Sequence, residues 1–231
     1  MSGTEIREEC EAMPVRLPSR SPVASAARIL GAIALPWLVA GCTALQQAPQ
    51  ENPSLHVLQP GTVPAKAPKR SDLALEVSVP RASPGFDTPR IAYVERAYVI
   101  DYFSRSEWAD APARMLGPLL ANALEESGAF RAVVQTPTSV QANLRLDVEL
   151  VRLQQDFTVS PSRADLALHV QLVDARARRV LATLVVEETE PAATRDAYGG
   201  VAAANAALKR ALERTVSFVV GEALAFRPAG S

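Results

Sequence analysis

Leu144-Arg145-Leu146-Asp147-Val148-Glu149-Leu150 decides the fold. Apolar residues at every second position, with charges between them, are the period-two pattern of a half-buried strand. The phase shifts at Leu150-Val151, which predicts a β-bulge there. Ser160-Pro161-Ser162 makes a turn, after which Leu166, Leu168, Val170 and Leu172 alternate again. Asp174 to Arg179 turns the chain once more, into Val180–Val186. Three such strands on short turns read as an antiparallel meander with one wet face, with deeper burial at Leu184-Val185-Val186.

On the C-terminal side, Ala202 to Glu222 reads as an Ala-rich helix. Val201, Leu208, Leu212, Val216 and Val219 fall on one of its stripes. On the N-terminal side, Leu116, Leu119, Leu120, Ala123 and Leu124 recur at helical spacing, with Asp110 as the expected N-cap, Pro112 in the first turn and Gly128 as the stop. A short strand at Phe130–Val134 follows, and a strand–helix–strand run of this kind predicts a parallel crossover. Earlier still, Leu55–Leu58 is a short strand, Leu73–Val79 alternates up to Pro80, and Ile91–Val94 with Tyr98–Phe103 forms a hairpin. The fold class that results is α/β: a single domain over residues 55–225, with a mixed β-sheet and its meander packed by two long helices, and a tail at 226–231.

Before this domain the chain changes character. Arg16, Arg20 and Arg28 precede an uncharged, mostly apolar run from Ile29 to Ala40, which ends in Leu38-Val39-Ala40-Gly41-Cys42. Basic, then apolar, then small residues is the order of a secretory signal peptide, here residues 1–41. The cysteine directly after the small residues marks a bacterial lipoprotein signal, with Cys42 as the lipidation site. The apolar run is too short to span a bilayer. Glu5, Glu8, Glu9 and Glu11 are out of place at the basic end of a signal, so residues 1–12 read as a mis-assigned start and Met13 as the true one. Residues 42–54 then form an acylated cysteine and a flexible tether.

The chain has 24 basic and 25 acidic residues. Removing residues 1–41 takes four of each and leaves the formal charge at -1. Nothing calls for a nucleic-acid partner, which would need a basic face. With Cys10 in the doubtful extension and Cys42 acylated, the domain holds no disulfide and no spare thiol. No nucleophile elbow, phosphate loop or paired-histidine zinc motif occurs. His169 sits between Leu168 and Val170 on the polar side of a strand. The Asp147 and Glu149 row beside Arg145 reads as solvated surface, and Gly199-Gly200 is weak ground for an anion site. The sequence therefore points to no catalytic residue, no cofactor and no metal ligand. Tyr93, Tyr98, Tyr102, Phe103 and Trp108 lie within sixteen positions. A cluster of this kind serves either as core or as an interface anchor. Phe86, Tyr93, Tyr102, Phe103 and Trp108 are the candidate partner interface.

Gly85-Phe86-Asp87-Thr88-Pro89-Arg90, Ile91-Ala92-Tyr93, Tyr102-Phe103, Trp108 and Ala113-Arg114-Met115-Leu116 resemble the ABC-type transport auxiliary lipoprotein family, to which paraquat-inducible protein C belongs. The Ala-rich helix with Val201-Ala202-Ala203-Ala204-Asn205 fits the same layout, and the likeness runs from about Leu55 to Val220. His56-Val57-Leu58 departs from it, because the family more often begins with an aromatic pair. The resemblance implies a non-catalytic periplasmic component of an MCE-type (mammalian-cell-entry domain) lipid transport system. Its partners would be an MCE-domain protein and an ABC permease and ATPase. It also implies a ring-forming homo-oligomer, and Thr43 after the acylated cysteine is similar to lipoproteins sorted to the outer membrane. The alternatives are an assembly or pilot lipoprotein of another envelope machine, a periplasmic lipid carrier, and a tethered enzyme.

Overall fold

The computed structural model describes residues 52–63 and 66–227. The signal peptide, the start at Met13, Cys42 and most of the tether lie outside the described residues. Nine strands and two helices are present among the described residues. The strands are β1 (Ser54–His56), β2 (Ala74–Val77), β3 (Arg81–Ala82), β4 (Arg90–Arg96), β5 (Val99–Trp108), β6 (Ala132–Gln135), β7 (Leu144–Asp156), β8 (Arg163–Asp174) and β9 (Arg179–Pro191). The helices are α1 (Pro112–Glu126) and α2 (Ala197–Ala225).

The meander is as the alternation predicts. β7 pairs antiparallel with β8 from Leu144 opposite Asp174 to Asp156 opposite Arg163. The one register shift falls between Leu150 and Arg152, so Val151 is the bulge residue. β9 continues on the far side of β8. The Asp174 carboxylate accepts from the backbone N–H groups of Arg176 and Ala177, both at 3.0 Å, and so closes the β8–β9 turn. Burial in the middle of β9 is narrower than expected. Val186 is fully buried while Val185 is 56% exposed, because the alternation persists.

Along its other edge β7 serves three strands in succession. Leu75–Val77 of β2 pairs parallel with Leu144–Leu146, Arg81–Ala82 of β3 with Glu149–Leu150, and Ala92–Val94 of β4 with Gln154–Asp156. The sheet therefore forks, with β6 beyond β2 at one end and β5 then β1 beyond β4 at the other. It is mixed and open, not a closed barrel.

Three local readings need correction. The N-cap of α1 is Ala111, not Asp110, and it has no side-chain cap. Strand β5 runs on to Trp108, so Asp110 sits one residue early. Its carboxylate accepts from the Ala111 N–H and pairs with Arg114 instead. Asp110 is accordingly held below its usual carboxylate value, first by the Arg114 hydrogen bond. The crossover also differs. The strand before α1 is β5, which runs antiparallel to β4 and is not a neighbour of β6. The parallel neighbours are β2 and β6, with the whole β4–β5 hairpin and α1 between them in sequence. Finally, β3 follows Pro80 as a separate two-residue strand, which no periodicity announces.

Both helices add to one core. Leu116, Leu120 and Leu124 of α1 and Leu208, Leu212 and Val219 of α2 are almost wholly buried, with Leu75, Leu144, Leu146, Leu166, Leu168 and Leu172 of the sheet. Gly128, at φ +69°, turns the chain after α1 in a left-handed conformation that glycine takes without penalty. Helix α2 is longer than the stripe predicts, because Asp196 caps it by accepting from Gly199 N–H at 2.8 Å.

Candidate partner-docking site

The β4–β5 hairpin is irregular where the meander is regular. Its register shifts between Arg90 and Ala92 and again between Tyr93 and Arg96. Such bulges re-aim side chains, and they sort the aromatic residues into three groups. Trp108 is 3% exposed and belongs to the core beside Ile91 and Leu153. Phe86 is half-buried and leans on the same core. Tyr93 and Phe103 meet with ring centroids 4.8 Å apart. Tyr102, one residue before Phe103, alternates to the other side of β5. There its hydroxyl donates to Gly85 O at 2.9 Å, and the Arg90 guanidinium lies 3.8 Å from its ring centroid.

Two residues that sequence reasoning missed complete the cluster. Phe157, just past the end of β7, meets Tyr93 edge-on at 5.8 Å and Phe103 at 6.4 Å. Arg195, just before α2, places its guanidinium 5.0 Å from the Phe157 centroid, within cation–π range. The backbone reason is the β4–β7 pairing, continued by Phe157 N–H donating to Val94 O at 2.8 Å. That pairing carries a residue 54 positions beyond Phe103 into its neighbourhood. An open cavity of about 280 Å3 lies at the cluster, lined by Tyr93, Glu95, Tyr102, Phe103, Phe157 and Arg195 among others. Half-buried aromatic rings beside an arginine form a surface that can anchor a partner side chain. Tyr98 stands apart, fully exposed at the hairpin tip with φ +68°.

The polar groups are held in structural roles. Arg145 donates twice to Asp147, at 3.0 Å from Nε and 2.9 Å from Nη2, and Ser78 Oγ donates to the same carboxylate at 2.6 Å. Burial pushes the Asp147 carboxyl up, but these hydrogen bonds outweigh it and leave the value below normal. His169 is half-buried in the ladder between Glu149 and Val185. The Gly199-Gly200 pair is a packing device. A Cβ on Gly199 would collide with the Thr194 carbonyl, and one on Gly200 with the Gln155 side chain. The Asp196 carboxylate already occupies the helix start. Among the described residues no three acidic, histidine or cysteine side chains converge on a metal position.

The model of the family described as ABC-type transport auxiliary lipoprotein component matches residues 54–216. Among solved structures, the chain is similar to a Xanthomonas campestris protein assigned to DUF330. The identity is 21% and the TM-score 0.69, over 74% of this chain and 97% of that one. It is also similar to a hypothetical protein from Chlamydia trachomatis, at 9% identity and a TM-score of 0.51, over 68% of this chain and all of that one. Both likenesses concern the fold. No curated protein matches the chain. The family match covers every strand and most of α2, and on it the chain belongs to the ABC-type transport auxiliary lipoprotein family.

Proposed function

We propose that this lipoprotein is the non-catalytic periplasmic adaptor of an MCE-type ABC lipid transport system, anchored through Cys42 and acting at the outer membrane. The observation that carries the reading is the half-buried Tyr93–Phe103–Phe157 cluster with Arg195, an aromatic surface at the margin of the core, on which Phe103 packs. Residues 1–41 act as the signal peptide and 42–54 as the tether of the domain at 55–225. The ABC permease and ATPase supply the energy, and the MCE-domain protein meets the aromatic cluster. The large buried side chains of the sheet pack directly on the two helices, so the adaptor works through its surface and not through an internal lipid.

Crosslinking in intact envelopes followed by identification of the captured protein tests the reading. Tyr93→Ala with Phe103→Ala should abolish capture of the MCE protein without preventing folding. Capture of a secretin or a lipopolysaccharide-transport barrel in its place would move the protein to another envelope machine. Mass spectrometry of the membrane-extracted protein should find a triacylated peptide starting at Cys42. An unmodified terminus upstream would remove the anchor from the proposal.

A further inference from the structure

The β4–β5 hairpin carries a run that neither the core nor the aromatic cluster uses. Ala97-Tyr98-Val99-Ile100 are four consecutive apolar residues at its tip, and all four are exposed. Tyr98 is fully so, and Val99 and Ile100 are each 37% exposed. A folded surface rarely carries such a run without a use for it. Tyr98 also holds φ +68°, a left-handed conformation that is strained for a bulky side chain. The strain and the exposure fall on one residue.

The tip also stands free of the rest of the sheet. β7 flanks β4 only at Ala92–Val94, and β1 flanks β5 only at Ser106–Trp108. Among the described residues no other strand flanks the hairpin from Glu95 to Asp101, so its end is a two-stranded finger.

What the finger meets follows from where the chain enters the sheet. β1 runs parallel to β5, with Ser54 opposite Ser106. Its N-terminus therefore faces the end of β5 at which the tip lies. Ser106 is seven residues on from Val99, about 23 Å along a strand at ~3.3 Å per residue. Twelve residues, Cys42 to Pro53, lead to Ser54, and fully extended they span about 40 Å. A lipid anchor at Cys42 thus leaves enough chain for the tip to meet the same membrane surface without stretching the tether. Charge selects little here, because Glu95 and Asp101 stand beside Arg96. An apolar tip with a tyrosine at its apex suits the headgroup layer, where such rings are enriched.

We propose that Ala97 to Ile100 dip into the headgroup layer of the membrane that holds Cys42, as a second contact beside the acyl chains. The tether makes this contact intramolecular, so a small apolar tip suffices. An anchor at one point leaves the domain free to tilt, and the tip removes that freedom. The Tyr93–Phe103–Phe157 cavity lies on the same hairpin, so its height above the lipid is fixed as well. This inference rests on the anchoring at Cys42 in the proposed function, and the test separates the two.

The test uses the full acylated protein, extracted from its membranes and reconstituted in phosphatidylcholine vesicles. Ala97→Cys places a polarity-sensitive fluorophore beside Tyr98. Ala177→Cys places one in the β8–β9 turn, at the opposite end of the sheet. Nitroxide carried on the lipid headgroups should quench the first and leave the second unchanged. Adding Tyr98→Asp to Ala97→Cys should cut the quenching at least about three-fold, since a charge is costly in an apolar layer. Tyr98→Trp should preserve it. Should Tyr98→Asp fold poorly, the comparison of the two labelled sites decides. Vesicle flotation tells the failures apart. A chain that does not float lacks the anchor, and both readings fall. A chain that floats with an unquenched probe at 97, or with equal quenching at 177, overturns the tip contact alone. A probe at 97 that reports a dry site yet is not quenched also overturns it, and sets the tip against protein instead.

Discussion

The meander and the β4–β5 hairpin are both antiparallel, yet they are built to different ends. The β7–β8 ladder runs from end to end with one bulge, and its inward leucines are fully covered by α1 and α2. The hairpin loses register twice within seven residues of β4, and its aromatic residues divide between the core, the cavity and the solvent. Regular pairing fixes one apolar face and leaves nothing over. Irregular pairing spends ladder bonds to aim side chains elsewhere, which makes the hairpin the part of the sheet suited to recognition.

The largest expected effect would break this contrast outright. Leu168→Asp, at the centre of the meander, should prevent folding, and Leu168→Ala should cost about 2–5 kcal/mol. Phe103→Asp should leave a cooperative melt. If Phe103→Asp unfolds the domain as Leu168→Asp does, the two regions do not differ. Next in size is Trp108→Ala, at about 3–5 kcal/mol, because this ring ends the hairpin but belongs to the core. A denaturant midpoint close to that of the parent would return Trp108 to the interface.

A smaller effect concerns pH and the meander's outer strand. Burial raises the Glu188 carboxyl, but hydrogen bonds from Arg214 and Arg210 outweigh it and hold it below the ordinary glutamate value of 4.5. A carboxylate depressed in the folded state stabilises above its unfolded value, and that contribution is lost as pH falls through the folded one. At pH 7, Glu188→Gln should cost on the order of 1–2 kcal/mol. Thermal melts of the two proteins should converge as pH falls below 4.5, and a gap of constant size would remove Glu188 from the linkage. The smallest effect belongs to the hairpin tip, where Tyr98→Ala should change stability by less than about 0.5 kcal/mol. A larger loss would show that the tip packs on something.

What could be read in the sequence follows the range of the cause. Alternation is local, so β7, β8, the bulge at Val151 and the turn at Asp174 were all legible. Helical stripes placed α1 and α2, and Gly128 marked the stop after α1. The N-cap of α1 differs because β5 runs five residues past the Phe103 at which its apolar pattern ends and carries the chain to Trp108. The candidate site was half legible. Tyr93 and Phe103 stand close in sequence, but Phe157 reaches them only through the parallel β4–β7 pairing, and Arg195 only through the turn between β9 and α2, and no short motif exists for either. Trp108 could not be separated from its neighbours by composition. A shift of register in β5, not residue type, decides which face it joins.

The position of β7 has a consequence for the order in which the chain can fold. β2, β3 and β4 lie in line along a single strand that comes last among the four, so β7 acts as a splint for segments made well before it. Until Asp156 is available, the earlier segments have only the β2–β6 pair and the β4–β5 hairpin, with β1 at its margin, to organise them. Small isolated pairings of this kind are marginal in water. Contacts of such long sequence separation also form slowly, because loop closure must precede them. A chain that emerges N-terminus first is thus kept open through its first two-thirds and then closes around one late strand.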